Sequence, residues 1–130
     1  SRAIPGDRFF TGLYETVLEE GELITSVQFP VPLRAAYAKY KQPASRFALV
    51  GVFVARRHDG VRVAVTGAKS QVYRESALEV ALSKSFTPDA ARAVKLPSDG
   101  INSDIHGSAE YRASMISVMT ARAVAVALAR

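Results

Sequence analysis

The sequence contains no cysteine and no tryptophan. Without cysteine, the chain cannot form disulfides, hold zinc or iron–sulfur clusters through thiolates, or use a cysteine nucleophile. Its longest apolar stretch, residues 116–129, is interrupted by polar side chains and is shorter than the roughly 20 residues that span a bilayer. We therefore expect no membrane span and a cytoplasmic location.

Several enzyme motifs are also missing from the sequence. There is no Gly-x-Ser-x-Gly for a serine nucleophile, and there is no Gly-x-x-x-x-Gly-Lys or Gly-x-Gly-x-x-Gly for a phosphate. His58 and His106 lie far apart, and neither has a second histidine at the usual helical spacing. The residues alone therefore predict a globular domain that is not a self-contained enzyme and that holds no metal.

The chain is basic, with 17 Lys and Arg against 12 Asp and Glu and a net charge of +5. Such a balance raises the possibility of a nucleic-acid partner. The cations are scattered along the chain, and no run of five or six like charges occurs. We expect no nucleic-acid partner, although a basic nucleic-acid binder and a free-standing interaction module both stay open as alternatives.

Hydrophobic periodicity predicts strands in the first half of the chain and helices in the second. The strand patterns cover residues 23–29, 35–41, 47–56 and 61–68. Asp59-Gly60 lies between the last two and predicts an antiparallel hairpin, because this dipeptide favours a tight turn with positive φ. Near the start of the chain, Leu13, Val17 and Leu18 fall at helical spacing.

After Gln71 the period changes from two to 3.6. We predict a helix over residues 75–84, a second helix capped by Thr87 with Pro88 in its first turn, and a long helix that begins after Ser108. The inward stripe of the long helix is predicted to be Tyr111, Met115, Val118, Met119, Arg122 and Val126. This order predicts an α+β fold, an antiparallel three- to four-stranded sheet packed against about three helices.

One segment, residues 37–46, combines two tyrosines with three cations at the end of a predicted strand. Lysines at this position are explained by an edge strand that resists pairing with other chains. The other interpretation is a site for a planar, electron-rich ligand such as a flavin. A cation near the pyrimidine edge of a flavin would stabilise the negative charge that builds up on the ring during reduction.

The same segment begins a series of motifs that resembles one family. The chain resembles the C-terminal domain of the FAD-binding (medium) subunit of carbon monoxide dehydrogenase, which recurs in molybdenum hydroxylases such as xanthine dehydrogenase. The motifs that carry the resemblance are Tyr37-x-Lys39, Arg46, Gly60-Val61-Arg62-Val63-Ala64-Val65-Thr66-Gly67, Ser108-Ala109-Glu110-Tyr111-Arg112 and Arg122-Ala123. Residues 9–24 resemble the tail of the FAD-binding domain that precedes it, which divides the chain into a tail or linker (1–32) and the C-terminal domain (33–130).

The resemblance implies an accessory domain of an oxidoreductase complex. The full subunit would bind FAD, receive electrons from an iron–sulfur small subunit and serve a molybdenum large subunit, while this domain covers the flavin and contacts its partners. The glycine-rich loops that hold the FAD diphosphate in the family are missing here. We therefore expect this chain alone to hold FAD weakly and to be inactive.

The resemblance also implies the residues that approach the flavin. Lys41-Gln42 matches a lysine–glutamine pair of the xanthine dehydrogenase branch, and Lys39 matches the lysine of the carbon monoxide dehydrogenase branch. Lys41 is expected near the pyrimidine edge, with Tyr37 or Tyr40 bordering the ring. The acidic residues that follow the arginine in the xanthine dehydrogenase branch are absent after Arg46, which weakens the case for NAD as electron acceptor.

Overall fold

The computed structural model describes residues 1–129 and has an α+β fold, as predicted. A 3₁₀ turn at Gly6–Arg8 precedes a small antiparallel pair of strands, and a four-stranded antiparallel sheet in the order β3-β4-β5-β6 follows. The strands are β1 (Phe10–Gly12), β2 (Glu15–Thr16), β3 (Arg34–Lys41), β4 (Ala48–Arg57), β5 (Gly60–Thr66) and β6 (Tyr73–Arg74). The α-helices are α1 (Ser76–Lys84), α2 (Pro88–Arg92) and α3 (Ala109–Ala129).

The core lies between one face of the four-stranded sheet and the three helices. Alternate residues of β4 and β5 point into it, because successive side chains of a strand face opposite sides of a sheet. The fully buried side chains of this core include Val50, Val52, Val54, Val63, Val65, Leu78, Leu82, Ile116, Met119 and Val124. We call the opposite side of the sheet the outer face. It is formed by the other alternate residues, of which Tyr37 and Phe53 are 48% and 45% exposed.

The predicted turn and cap signals are confirmed. Arg57 pairs with Gly60 across the β4–β5 hairpin, and Gly60 has a φ of +128°. The Thr87 side chain accepts a hydrogen bond from the Ala90 amide at the start of α2. Ser108 Oγ accepts a hydrogen bond from the Tyr111 amide at 3.2 Å and so caps the start of α3. These local signals were readable because each depends on residues close together in sequence.

Two predictions for the first third of the chain are wrong. Residues 23–29 form no strand, and β6 is the fourth strand of the sheet instead. The sequence of this segment has the composition of a strand, but within the described residues no other strand pairs with it. A strand forms only where its backbone N–H and C=O groups find hydrogen-bonding partners on another strand. The helical spacing of Leu13 and Val17 is also misleading, since β1 and β2 form a short hairpin there.

The predicted inward stripe of α3 is half right, since Met115, Val118 and Met119 pack against the core and the other three residues do not. Tyr111, Arg122 and Val126 are exposed, and of the six predicted residues only Met119 is fully buried. The buried stripe consists largely of small residues, Ala113, Ser117, Thr120, Ala121, Ala123 and Ala127, together with Arg112, Ile116, Met119 and Val124. Alanines face the sheet because they let the helix lie close to it, whereas the prediction favoured the larger side chains.

Helix α3 also has the length and composition of a membrane span, with a mean hydropathy of 1.3 over 18 residues. In this fold 56% of that window is buried inside the protein, against the sheet and α2. Its apolar character is therefore accounted for by the core, since the core helix of a globular protein has the same composition.

Arg112 joins four segments at one end of the core, where its side chain is only 4% exposed. Its Nη1 donates to the carbonyl oxygens of Leu49 (2.9 Å) and Gly67 (3.4 Å), and its Nε donates to that of Gly107 (3.3 Å). Nη2 lies 2.7 Å from Oδ2 of Asp104. The buried charge is paired with a carboxylate and makes three further hydrogen bonds, which is the condition under which a buried guanidinium is tolerated.

The Leu49 carbonyl is available to Arg112 because β4 bulges there. Tyr40 pairs with Val50 but Lys41 pairs with Ala48, so Leu49 has no partner on β3. Gly67 approaches the same place with a φ of +78°, and a Cβ there would collide with the Ala48 carbonyl oxygen. Gly67 thus forms a left-handed turn that packs against a bulge in the neighbouring strand β4.

A second ion pair joins the edge strand β6 to helix α1. Glu79, on α1, accepts hydrogen bonds from Arg74 Nε (2.8 Å), Arg74 Nη2 (2.6 Å) and the Val63 amide (3.0 Å). Burial alone would raise the pKa of Glu79, but the hydrogen bonds from Arg74 and Val63 outweigh it and lower the pKa. Arg74 also reaches Asp7 at 2.8 Å and so ties the N-terminal segment to β6.

Replacing Arg112 with alanine should lower the free energy of unfolding by about 3 kcal/mol, since it leaves Asp104 and three buried or half-buried carbonyls without their donor. Urea denaturation followed by circular dichroism measures the loss. Arg122→Ala, an exposed position on the same helix, is the control and should cost less than about 0.5 kcal/mol. Equal stabilities for the two variants would contradict the role of Arg112.

Candidate functional site

The five residues predicted to approach a flavin lie on β3 and in the turn after it, but they do not share one face. Tyr37, Lys39 and Lys41 alternate onto the outer face of the sheet. Tyr40 lies on the helix side, where its ring meets the Tyr111 ring edge-on with centroids 6.1 Å apart. Of the two tyrosines, Tyr37 is therefore the one that shares a face with Lys41.

The turn between β3 and β4 is held by its own polar groups. Gln42 Oε1 accepts hydrogen bonds from the Ser45 amide (2.5 Å) and from Ser45 Oγ (3.0 Å). The Gln42 amide donates to the Phe47 carbonyl, and the Arg46 amide donates to the Gln42 carbonyl. Gln42 thus shapes the turn with its side-chain oxygen.

The two lysines of the outer face differ in whether their ammonium groups make hydrogen bonds within the described residues. Lys39 Nζ donates to the Arg46 carbonyl at 3.2 Å, and Arg46 itself has a φ of +65°. Lys41 makes no hydrogen bond or ion pair with any of the residues described by the structure. Lys39 therefore supports the turn, whereas the Lys41 ammonium is free to meet a negatively charged partner.

Gly51 leaves a gap in the outer face that two neighbouring side chains fill. It lies directly opposite Lys39 on β3 and Thr66 on β5. A Cβ at this position would overlap the Tyr37 hydroxyl and would come within 2.6 Å of Thr66 Oγ1. The glycine therefore lets the end of the Tyr37 side chain lie over the strand, with its hydroxyl close to the position that Thr66 Oγ1 also approaches. A glycine inside an otherwise apolar strand is the sequence signal for such a close approach, and our sequence analysis did not use it.

A cavity of about 700 Å³ lies beside this group. Its lining is mainly apolar and comes from the β1–β2 hairpin on one side and from the end of β5 on the other. The lining residues are Phe10, Tyr14, Glu15, Thr16, Thr66, Gln71 and Val72. Thr66 is common to the cavity and to the gap over Gly51, so the two features form one continuous surface. The sequence analysis did not assign any of these residues to the site.

Some of the cationic side chains near the outer face are paired with carboxylates. Arg62 pairs with Asp59 at 3.3 Å, and Arg74 pairs with Glu79 and Asp7. On the helix side, the hydrogen bond with Tyr40 raises the pKa of the Tyr111 hydroxyl above its ordinary value. Within residues 1–129, no group of three or more His, Asp or Glu side chains could hold a metal ion.

Comparison with known proteins places this domain in one class. No protein-family model matches the chain. The chain is 33% identical over 141 residues to the carbon monoxide dehydrogenase medium chain of Hydrogenophaga pseudoflava, covering 99% of this chain and 49% of that protein. It is 34% identical over 139 residues to the nicotine 6-hydroxylase medium subunit of Paenarthrobacter nicotinovorans, with the same coverage.

Comparison of the fold with solved structures points to the same class of protein. A solved structure of reconstituted CO dehydrogenase from Oligotropha carboxidovorans matches with a TM-score of 0.72 and 27% sequence identity, over 95% of this chain and 48% of that one. The chain thus spans about half the length of the relatives it matches. It is related to one domain of the medium subunits of dehydrogenase and hydroxylase complexes. Within that class, the predicted resemblance to the medium chain of carbon monoxide dehydrogenase is confirmed.

The gap over Gly51 should show as an energetic coupling between Gly51 and Tyr37. Gly51→Ala should cost about 1 kcal/mol more in the wild-type background than in a Tyr37→Ala background, because the Thr66 hydroxyl is present in both but only the wild type also has the Tyr37 hydroxyl to displace. Chemical denaturation of the four proteins of this double-mutant cycle measures the difference. An identical cost of Gly51→Ala in both backgrounds would contradict the packing described.

Proposed function

We propose that this chain is the C-terminal domain of the FAD-binding subunit of a carbon monoxide dehydrogenase-type molybdenum hydroxylase, and that the outer face of its sheet covers the flavin. The observation that carries the proposal is the position of Lys41, an unengaged cation on the same face as Tyr37. FAD supplies the electron-carrying ring of such a subunit, and this domain supplies groups that surround the ring.

The residues of the outer face fit a flavin in shape and charge. Tyr37 lies beside Gly51 and offers an aromatic side chain that is half exposed. Lys41 offers a positive charge, which favours the negative charge that builds up on the pyrimidine edge when the ring is reduced. Lys39 and Gln42 act less directly, because their polar groups hold the turn that follows β3. Tyr40 supports β3 from the helix side.

The chain offers no match for the phosphates of FAD. It has no glycine-rich loop of the kind that surrounds a diphosphate with backbone amides. We therefore place the phosphate site in the other half of the subunit, and we expect this domain alone to be inactive and to bind FAD weakly.

We further propose that residues 1–32 belong with the FAD-binding half and residues 33–130 form the accessory domain. The support is the apolar pattern of residues 23–33, in which Leu23, Val27, Phe29, Val31 and Leu33 occupy alternate positions and are exposed. Phe29 and Val31 are 84% and 91% exposed, which is unusual for side chains of this size. A strand of the other half of the subunit would cover them.

The remaining partners of the proposed complex follow from the same assignment. The relatives are medium chains, a name that implies larger and smaller companions. We propose an iron–sulfur small subunit as electron donor to the flavin and a molybdenum large subunit as the place of substrate oxidation. We propose a cytoplasmic location for this complex.

Titration with FAD tests the division of the subunit. We expect strong quenching of flavin fluorescence only with a version of the protein that includes the FAD-binding half, and little with this chain alone. Tight binding by this chain would show that the phosphate site is here and would overturn the division. Binding by neither version would overturn the flavoprotein assignment itself.

Replacing Lys41 with alanine in the full subunit should make the flavin harder to reduce. Loss of a nearby cation worth about 1.4 kcal/mol corresponds to a shift of about 30 mV towards negative potentials for a two-electron couple. Spectroelectrochemical titration of the bound flavin measures the shift. Lys95→Ala, a distant exposed lysine, is the matched control and should leave the potential unchanged. Equal potentials for Lys41→Ala and the control would remove Lys41 from the site.

A further inference from the structure

A second, smaller cavity lies at the opposite end of the sheet from Lys41. Its volume is about 220 Å³, and it opens between the β4–β5 hairpin and the C-terminal end of α1. Basic side chains dominate its polar lining. The lining residues are Arg56, Arg57, His58, Gly60, Val61, Leu82, Ser83, Lys84 and Phe86. None of them takes part in the flavin site proposed above, so the two sites are independent.

The charges in this cavity are only partly neutralised. Arg57 is paired with Asp59 through two contacts, Nε to Oδ1 at 3.0 Å and Nη2 to Oδ2 at 3.1 Å. Arg56 and Lys84 have no carboxylate within 4.0 Å among residues 1–129. Two cationic residues therefore line one small space without a counter-charge from the described part of the chain.

The geometry of the cavity is fixed on both sides. The Arg56 guanidinium lies over the Phe86 ring, 5.5 Å from its centroid, in a cation–π contact that limits its freedom. Ser83 Oγ accepts a hydrogen bond from the Val61 amide at 3.3 Å, which joins α1 to the start of β5. The Ser83 hydroxyl hydrogen has no acceptor among the described residues, so it can be donated into the cavity.

We propose that this cavity binds an oxyanion of the phosphate class. A planar guanidinium, an ammonium and a hydroxyl donor are the groups that recognise phosphate oxygens, and Arg56, Lys84 and Ser83 provide one of each. The volume is smaller than the roughly 300 Å³ at which pockets for drug-sized ligands begin. The cavity therefore suits a free phosphate ion, or the terminal phosphate of a larger molecule whose remainder stays in solvent.

A purely structural explanation makes a different prediction. Cations near the end of a helix interact favourably with its unpaired carbonyl groups, and Lys84 lies in the last turn of α1. If this were the whole role of the cluster, loss of the cations would lower stability and the protein would have no specific affinity for phosphate. Binding and stability measurements on the same variants separate the two explanations.

The test is a titration of the protein with inorganic phosphate at constant ionic strength, followed by ¹H–¹⁵N NMR. We expect the largest shifts at the amides of Gly60, Val61 and Ser83. Arg56→Gln/Lys84→Gln should weaken binding at least tenfold, while Lys95→Gln/Arg122→Gln, which removes the same charge from exposed positions elsewhere, should change it less than twofold. Lys84→Gln alone, at an exposed position that leaves the Phe86 contact intact, guards against misfolding of the double variant and should weaken binding at least threefold.

A parallel titration with ADP identifies the source of the phosphate. Tighter binding of ADP than of phosphate by tenfold or more would indicate a nucleotide, and similar binding would indicate the free ion. Shifts scattered over the whole surface, or equal weakening by the cavity variants and the charge-matched control, would show general attraction to a basic protein and would overturn the proposal. Absence of binding to both probes would overturn it as well.

Discussion

The buried guanidinium of Arg112 is the interaction on which the arrangement of this domain most depends. It connects the bulge of β4, the turn at Gly67, the loop before α3 and α3 itself through one planar group. Its partner Asp104 is stabilised in turn, since the His106 amide and Arg112 together hold the pKa of that carboxyl below its usual range. The bulge next to Lys41 is fixed by this group, so a core residue determines how β3 ends on the other side of the sheet.

Sequence reasoning succeeded where the signal was local or periodic. The β4–β5 hairpin followed from Asp59-Gly60, and the start of α2 followed from Thr87 and Pro88, because these signals act within a few residues. It failed where the conformation or burial of a segment depends on which other segments pack against it. Residues 23–29 have a strand pattern without a partner strand in the described chain, and the buried side of α3 is set by alanines that fit against the sheet.

The candidate site was only partly readable for the same reason. The period of two along β3 is enough to place Tyr37 and Lys39 on one face and Tyr40 on the other, without any tertiary information. The participation of Gly51 and Thr66 could not be derived that way, because it depends on the register between β3, β4 and β5. The cavity beside Thr66 requires the β1–β2 hairpin, and the 3₁₀ turn just before this hairpin is tied to β6 by the contact between Asp7 and Arg74. Long-range pairs of this kind carry no signature in a single sequence.

The exposed segment 23–29 has a consequence for how the chain behaves in concentrated solution. It is a seven-residue stretch of Leu, Ile, Thr, Ser, Val, Gln and Phe without any charge, which is the composition that favours intermolecular β-pairing. Pro30 and Pro32 follow at once, and each lacks the amide needed to extend such pairing. The two prolines thus limit the spread of intermolecular β-pairing from this exposed segment.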